Sequence, residues 1–140
     1  MTRILIVENN KIECKEIVNC IAQSNLDIKV YGIAYTGEEA LKILRMQSVD
    51  LVILDCNFID ITKEKFFDIL YKEQIEKYKN SIILVSNFEN KTFSIEENLY
   101  IYNYIIKPIN NKNILDTIIK YLHQKNVNNL KYKIYKELEK

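Results

Sequence analysis

The chain has 140 residues, of which 48% are apolar and 28% charged, which suits about one globular domain with a buried core. Its two glycines lie in no GxGxxG or GxxxxGK[ST] frame, which excludes a backbone-built cradle for nucleotide phosphates, and a net charge of +1 gives no general field toward nucleic acid or membrane. Purely aliphatic runs stop at four residues, far short of the ~18 that span a bilayer, and the N-terminus is no secretory signal. Cys14, Cys20 and Cys56 form neither a CxxC pair nor a zinc spacing, so reduced thiols in the cytosol are expected.

Five β-rich segments follow one another, at residues 4–7, 28–33, 51–54, 82–85 and 102–106, each succeeded by a polar stretch with helical apolar spacing. Ahead of the first helix, Asn10 and Glu13 stand at the spacing of a capping box, and Cys14, Ile17, Val18 and Ile21 supply its apolar stripe. Thr36 and Glu39 repeat the cap signature before the second helix. Residues 88–99 have poor periodicity and several asparagines, so the fourth helix is expected to be short or mobile. Ile114, Leu115, Ile118, Ile119 and Leu122 mark the fifth.

Beyond it, Val127, Leu130, Ile134 and Leu138 make a stripe too narrow to bury against a sheet, which predicts a sixth helix leaving the domain. That segment is basic, with Lys125, Lys131, Lys133, Lys136 and Lys140 against Glu137 and Glu139, as suits a solvated face or a contact for an acidic partner. The expected division is a domain at 1–123 and a basic helical tail or linker at 124–140. Three strands lack polar alternation, as in parallel sheets covered on both faces, so the fold class is α/β, a (βα)5 three-layer sandwich.

In open parallel sheets, ligands bind at the carboxyl ends of the strands, where strand order reverses. The residues found there are Glu8 and Asn9 after the first strand, Asp55 after the third, Ser86 after the fourth, and Lys107 before Pro108 after the fifth. Such a set is suited to a hard divalent cation and a phosphoryl group, with Asp55 as nucleophile. Each residue alone also fits a plainer role: Asp55 as a turn residue, Glu8 and Asn9 as groups favoured at a helix start, Ser86 as a cap. Tyr100, Tyr102 and Tyr104 alternate, which predicts one face of an edge strand. His123, the sole histidine, has no catalytic partner at suitable spacing.

RILIVENN at 3–10, GEEAL at 37–41, DLVILDCN at 50–57, IILVS at 82–86 and YIIKP at 104–108 together resemble the receiver domain of two-component response regulators, over roughly residues 3–123. The resemblance implies a flavodoxin-like fold with strand order 2-1-3-4-5, plus the helical extension. It implies phosphoryl transfer from a sensor histidine kinase to Asp55. It further implies Mg²⁺ among Glu8, Asn9, Asp55 and the backbone carbonyl of Asn57, with Ser86 and Tyr104 as switch residues, Lys107 as the paired cation and a cis Lys107–Pro108 bond. A homodimer through the fourth helix, fifth strand and fifth helix, and a DNA-binding output domain beyond this chain, are further partners of that type.

Two departures bear on function. Receiver domains usually carry a second acid where this chain has Asn9, which predicts weak Mg²⁺ binding and slow phosphorylation. After Asn57, a proline and a D-G pair are replaced by Phe58-Ile59-Asp60-Ile61-Thr62-Lys63, so the loop is rebuilt. These changes keep open a receiver-like interaction module that no longer uses phosphate. A phosphatase of the haloacid-dehalogenase type needs an aspartate where Asn57 stands and an acidic pair after the lysine, and it has neither here.

Overall fold

The computed structural model describes residues 1–87 and 93–139. In chain order the elements are β1 (Thr2–Val7), α1 (Lys11–Gln23), β2 (Ile28–Ala34), α2 (Gly37–Arg45), β3 (Leu51–Asp55), α3 (Lys63–Lys72), a 3₁₀ turn (Glu76–Tyr78), β4 (Ile82–Ser86), α4 (Ile95–Tyr100), β5 (Ile101–Ile106) and α5 (Asn111–Leu138). All strand pairs are parallel, in the order β2-β1-β3-β4-β5. This is the expected flavodoxin-like sandwich. No described helix is long and apolar enough to cross a membrane.

The two-residue period of the strands splits the core in two. Ile4, Ile6, Leu51, Ile53, Ile83 and Val85 face Cys14, Ile17 and Ile21 of α1 and Ile114, Ile118 and Tyr121 of α5. Leu5, Val7, Val52, Leu54, Ile82 and Leu84 face Leu41 and Leu44 of α2, Phe66 and Phe67 of α3, and Tyr100 at the end of α4. Each of these aliphatic side chains contributes roughly 1.5–3 kcal/mol by leaving water. Because both faces are covered, β3 is buried throughout, which is why its sequence shows no polar alternation.

Three local expectations are corrected. The chain past Leu122 starts no new helix: with no glycine or proline to stop it, α5 runs unbroken to Leu138, its last turns projecting with Leu130, Ile134 and Leu138 exposed. Tyr102 and Tyr104 do not share a face. Ile82 pairs with Ile101 but Ile83 pairs with Asn103, so Tyr102 is an extra residue and the alternation resets across it. Tyr102 packs its ring edge-on to Tyr121, centroids 5.4 Å apart, while Tyr104 packs toward Phe93 on the other side. Tyr100 belongs to α4, and its hydroxyl donates to the carbonyl of Leu70.

Asn10 caps α1 by accepting from the N–H groups of Ile12 and Glu13, yet the reciprocal half of the expected box is absent. The N–H of Asn10 donates instead to Glu8 Oε1 at 3.1 Å, which frees the Glu13 carboxylate for another partner. At α2, Thr36 accepts from the Glu39 N–H, while Glu39 bonds back to Tyr35. The short fourth helix is present as Ile95–Tyr100, and the rest of the expectation for 88–99 falls partly on residues 88–92, outside the described residues.

Candidate functional site

The same alternation that divides the core sorts the residues at the carboxyl edge. Glu8 continues the Ile4–Ile6 face, Asp55 the Leu51–Ile53 face and Lys107 the Ile105 face, all on the side of α1 and α5. Cys56, Ser86 and Tyr104 fall on the opposite side, with Leu54 and Leu84. The first set lines a crevice of about 360 Å³ together with Asn9, Glu13, Asn57 and Asn87. The second lines an adjoining cavity of about 500 Å³ with Phe93 and Lys63. Asp55, Asn57 and Asn87 border both.

At the centre of the crevice the Lys107 ammonium donates to Asp55 Oδ2 at 2.6 Å and to Glu13 Oε2 at 2.6 Å, with Glu8 Oε2 at 3.9 Å. Asp55 Oδ1 accepts from the N–H of Asn57 at 3.0 Å. Lys107 is anchored by its own N–H, which donates to the carbonyl of Ser86, and its bond to Pro108 is cis. Burial alone would lower the lysine pKa, but its hydrogen bonds to Asp55 and Glu13 outweigh that and raise it, so the ammonium stays charged. Burial first, and the neighbouring Asp55 next, push Glu8 up to about 8.

Glu8 is 1% exposed, and its Oε2 has no hydrogen-bond partner among the described residues. A buried acceptor left in that state costs about 1–3 kcal/mol, so the oxygen is suited to receive a cation or a donor that enters the crevice. Glu8, Glu13 and Asp55 each bring an oxygen to within 4.8 Å of the others. This donor set, all oxygen and all carboxylate, fits a hard cation such as Mg²⁺. Of the residues expected to gather here, Glu8, Asn9, Asp55, Asn57 and Lys107 share the crevice, whereas Ser86 and Tyr104 meet Asp55 only from the adjoining cavity.

A family model described as the response regulator receiver domain matches residues 4–119. The chain belongs to this family. Solved structures with the same fold include a CheY-like receiver domain protein of Methanospirillum hungatei JF-1, 20% identical, with a TM-score of 0.70 over 91% of this chain and 98% of that one. The receiver domain of the Francisella response regulator 1452 is 17% identical, with a TM-score of 0.72 over 90% and 99%. The chemotaxis response regulator CheY4 of Vibrio cholerae is 18% identical, with a TM-score of 0.69 over 86% and 98%. Receiver domains are signalling modules that bind Mg²⁺ at an acidic pocket and interact with histidine kinases.

Glu13 is the residue that sequence reasoning missed in this receiver domain. Its position three residues after Asn10 assigned it to a cap, although its place one turn into α1, beside the end of β1, also directs it toward the carboxyl edge. Cys56 faces away from the acidic crevice, and burial, then the Asp55 charge, raises its pKa, which leaves it a protonated and unreactive thiol.

The rebuilt loop after Asn57 is held by contacts of its own. Asp60 accepts from the N–H groups of Gly37 and Glu38, both at 2.9 Å, so a carboxylate from the loop after Asn57 caps α2. A Cβ on Gly37 would lie 2.5 Å from Ile61 Cγ1, so glycine is needed for this approach. Thr62 caps α3, and Phe58 packs on Phe66 with centroids 5.1 Å apart. Asp60→Ala is expected to cost about 1 kcal/mol at pH 7. Burial would raise the Asp60 pKa, but the Glu38 and Gly37 N–H donors hold it below the usual carboxylate range. Its contribution is therefore complete above that range and lost as pH falls through the depressed value; urea midpoints of wild type and variant should differ at pH 7 and converge in acid.

Proposed function

We propose that this receiver domain is a working phosphoacceptor: a sensor histidine kinase transfers a phosphoryl group to Asp55, and the new charge changes a protein-interaction surface. The observation that carries this reading is the Lys107 ammonium 2.6 Å from Asp55 Oδ2 in an open crevice at the strand ends. In the transfer, a carboxylate oxygen of Asp55 bonds to phosphorus, the phosphorus–nitrogen bond to the donor histidine breaks, and the imidazole leaves with its electron pair and takes up a proton. Lys107 offsets charge on the carboxylate and then on the phosphoryl oxygens. Mg²⁺, when bound, would neutralise phosphoryl charge; Glu8, Asp55 and the Asn57 carbonyl are the groups proposed to hold it, with Asn9 at the rim.

Ser86 and Tyr104 supply the switch in this reading. They line the cavity that shares Asp55, so a phosphoryl group there meets the hydroxyl of Ser86 and draws on the side of the sheet where Tyr104 packs. The surface altered is that of α4, β5 and α5, through which a second copy or an output domain docks. Residues 1–123 form the receiver unit in this proposal and 124–140 its basic helical extension, with the cytosol as the compartment.

A second reading, a phosphate-independent interaction module, is favoured by the neutral Asn9. Intact-mass measurement separates the two. With Mg²⁺ and a small phosphodonor such as acetyl phosphate, the wild type is expected to gain a single phosphoryl adduct that peptide mapping assigns to Asp55. No adduct, under conditions that label a functional receiver domain, would favour the second reading.

A further inference from the structure

Asn9 offers the crevice a neutral amide, and the position it occupies is exposed. The negative charge missing there is present elsewhere in the same crevice. Glu13, one turn into α1, brings a carboxylate oxygen to within 4.8 Å of oxygens of Glu8 and Asp55. Its side chain is 34% exposed and pairs with Lys107, whereas Asp55 beside it is nearly buried. The cluster is not merely acidic: Glu8 Oε2 within it is buried and, among the described residues, lacks a hydrogen-bond donor and has its nearest cation 3.9 Å away, so this oxygen of the set is suited to an incoming ion.

Lys107 does not complete the set. It serves Asp55 and Glu13 at 2.6 Å each and leaves Glu8 beyond hydrogen-bond reach. The three oxygens already lie within 4.8 Å of one another, so the carboxylates would close on the ion or reach it through water. Release of Glu13 to the ion would leave Lys107 to Asp55. We propose that Glu13, a residue of α1, supplies the carboxylate that Asn9 lacks and completes a Mg²⁺ site with Glu8 and Asp55. This rests on the receiver reading and deepens it, by moving one ligand from the strand end to the helix.

Calorimetric titration of the full chain with Mg²⁺ tests it, on the wild type, Glu13→Gln, Asn9→Asp and the double variant Asn9→Asp/Glu13→Gln. Glu13→Gln is expected to weaken Mg²⁺ binding by about 10-fold or more. Asn9→Asp in that background should restore it, because an acid returns to the strand-end position. Equal affinity of wild type and Glu13→Gln overturns the proposal while leaving adduct formation on Asp55, and so the receiver reading, intact. A loss that Asn9→Asp fails to restore overturns it as well, and assigns Glu13 to positioning Lys107. A wild type that neither binds Mg²⁺ nor accepts a phosphoryl group overturns both.

Discussion

Lys107→Met is expected to destabilise the protein by about 2–4 kcal/mol, somewhat under the ~3–5 kcal/mol typical of a buried ion pair broken on one side, because the crevice opens to water. Methionine keeps most of the stem's volume, so the loss reads the charge and not the packing. Without the ammonium, Asp55, 6% exposed, retains the Asn57 N–H as its described donor, and Glu8, 1% exposed, loses the positive charge 3.9 Å from its Oε2. The measurement is the urea midpoint at pH 7, with an unchanged slope as evidence that compactness is preserved. Mg²⁺ is expected to return part of the loss and to stabilise the variant more than the wild type, since the ion brings back positive charge among the carboxylates. Adduct formation with a small phosphodonor should fall by about 10²-fold or more, the scale seen when one charge-stabilising donor is removed. An unchanged midpoint would show that the ammonium is not what holds Asp55 in place.

The fold was legible because burial on two faces forces a pattern that few other arrangements need. Four-residue aliphatic runs ending in Glu8, Asp55 and Ser86 mark both the covered strands and the edge where chemistry collects, and Lys107 stands at the same edge after the fifth β-rich segment. What the runs do not reveal is which face each terminal residue takes when a strand carries an extra residue, as β5 does at Tyr102; a bulge leaves no mark in apolar periodicity. Two long-range contacts were equally hidden. Asp60 caps a helix 22 residues earlier in the chain, a pairing that no local spacing rule describes. Glu13 fits a local rule well enough to be explained by it, while the structure gives the Asn10 amide to Glu8 and the Glu13 carboxylate to Lys107, 94 residues away. Local signals named the capped helix correctly and misassigned the side chain, because a strong distant cation outcompetes a neighbouring amide for a carboxylate.

Asp55→Asn is expected to leave no phosphoryl adduct under donor concentrations that label the wild type to completion. Three carboxylates share the crevice, so the outcome is not guaranteed by the presence of an acid. Glu8 is nearly inaccessible and bonded through Oε1 to the Asn10 N–H, and burial favours its protonated form, which is a poor nucleophile. Glu13 is the more exposed competitor, but it lies on α1 across the ammonium from Asp55 and does not border the cavity that holds Ser86 and Tyr104. Asp55 alone of the three borders both cavities, so it alone can carry a phosphoryl group that faces Lys107 on one side and the Ser86 hydroxyl on the other. Asparagine at that position keeps a carbonyl oxygen for the Asn57 N–H but has no charge with which to attack phosphorus. Peptide mapping of the labelled variant decides the matter: an adduct on Glu13 would move the acceptor to the helix and sever it from Ser86 and Tyr104, leaving a phosphorylated chain without the means to switch.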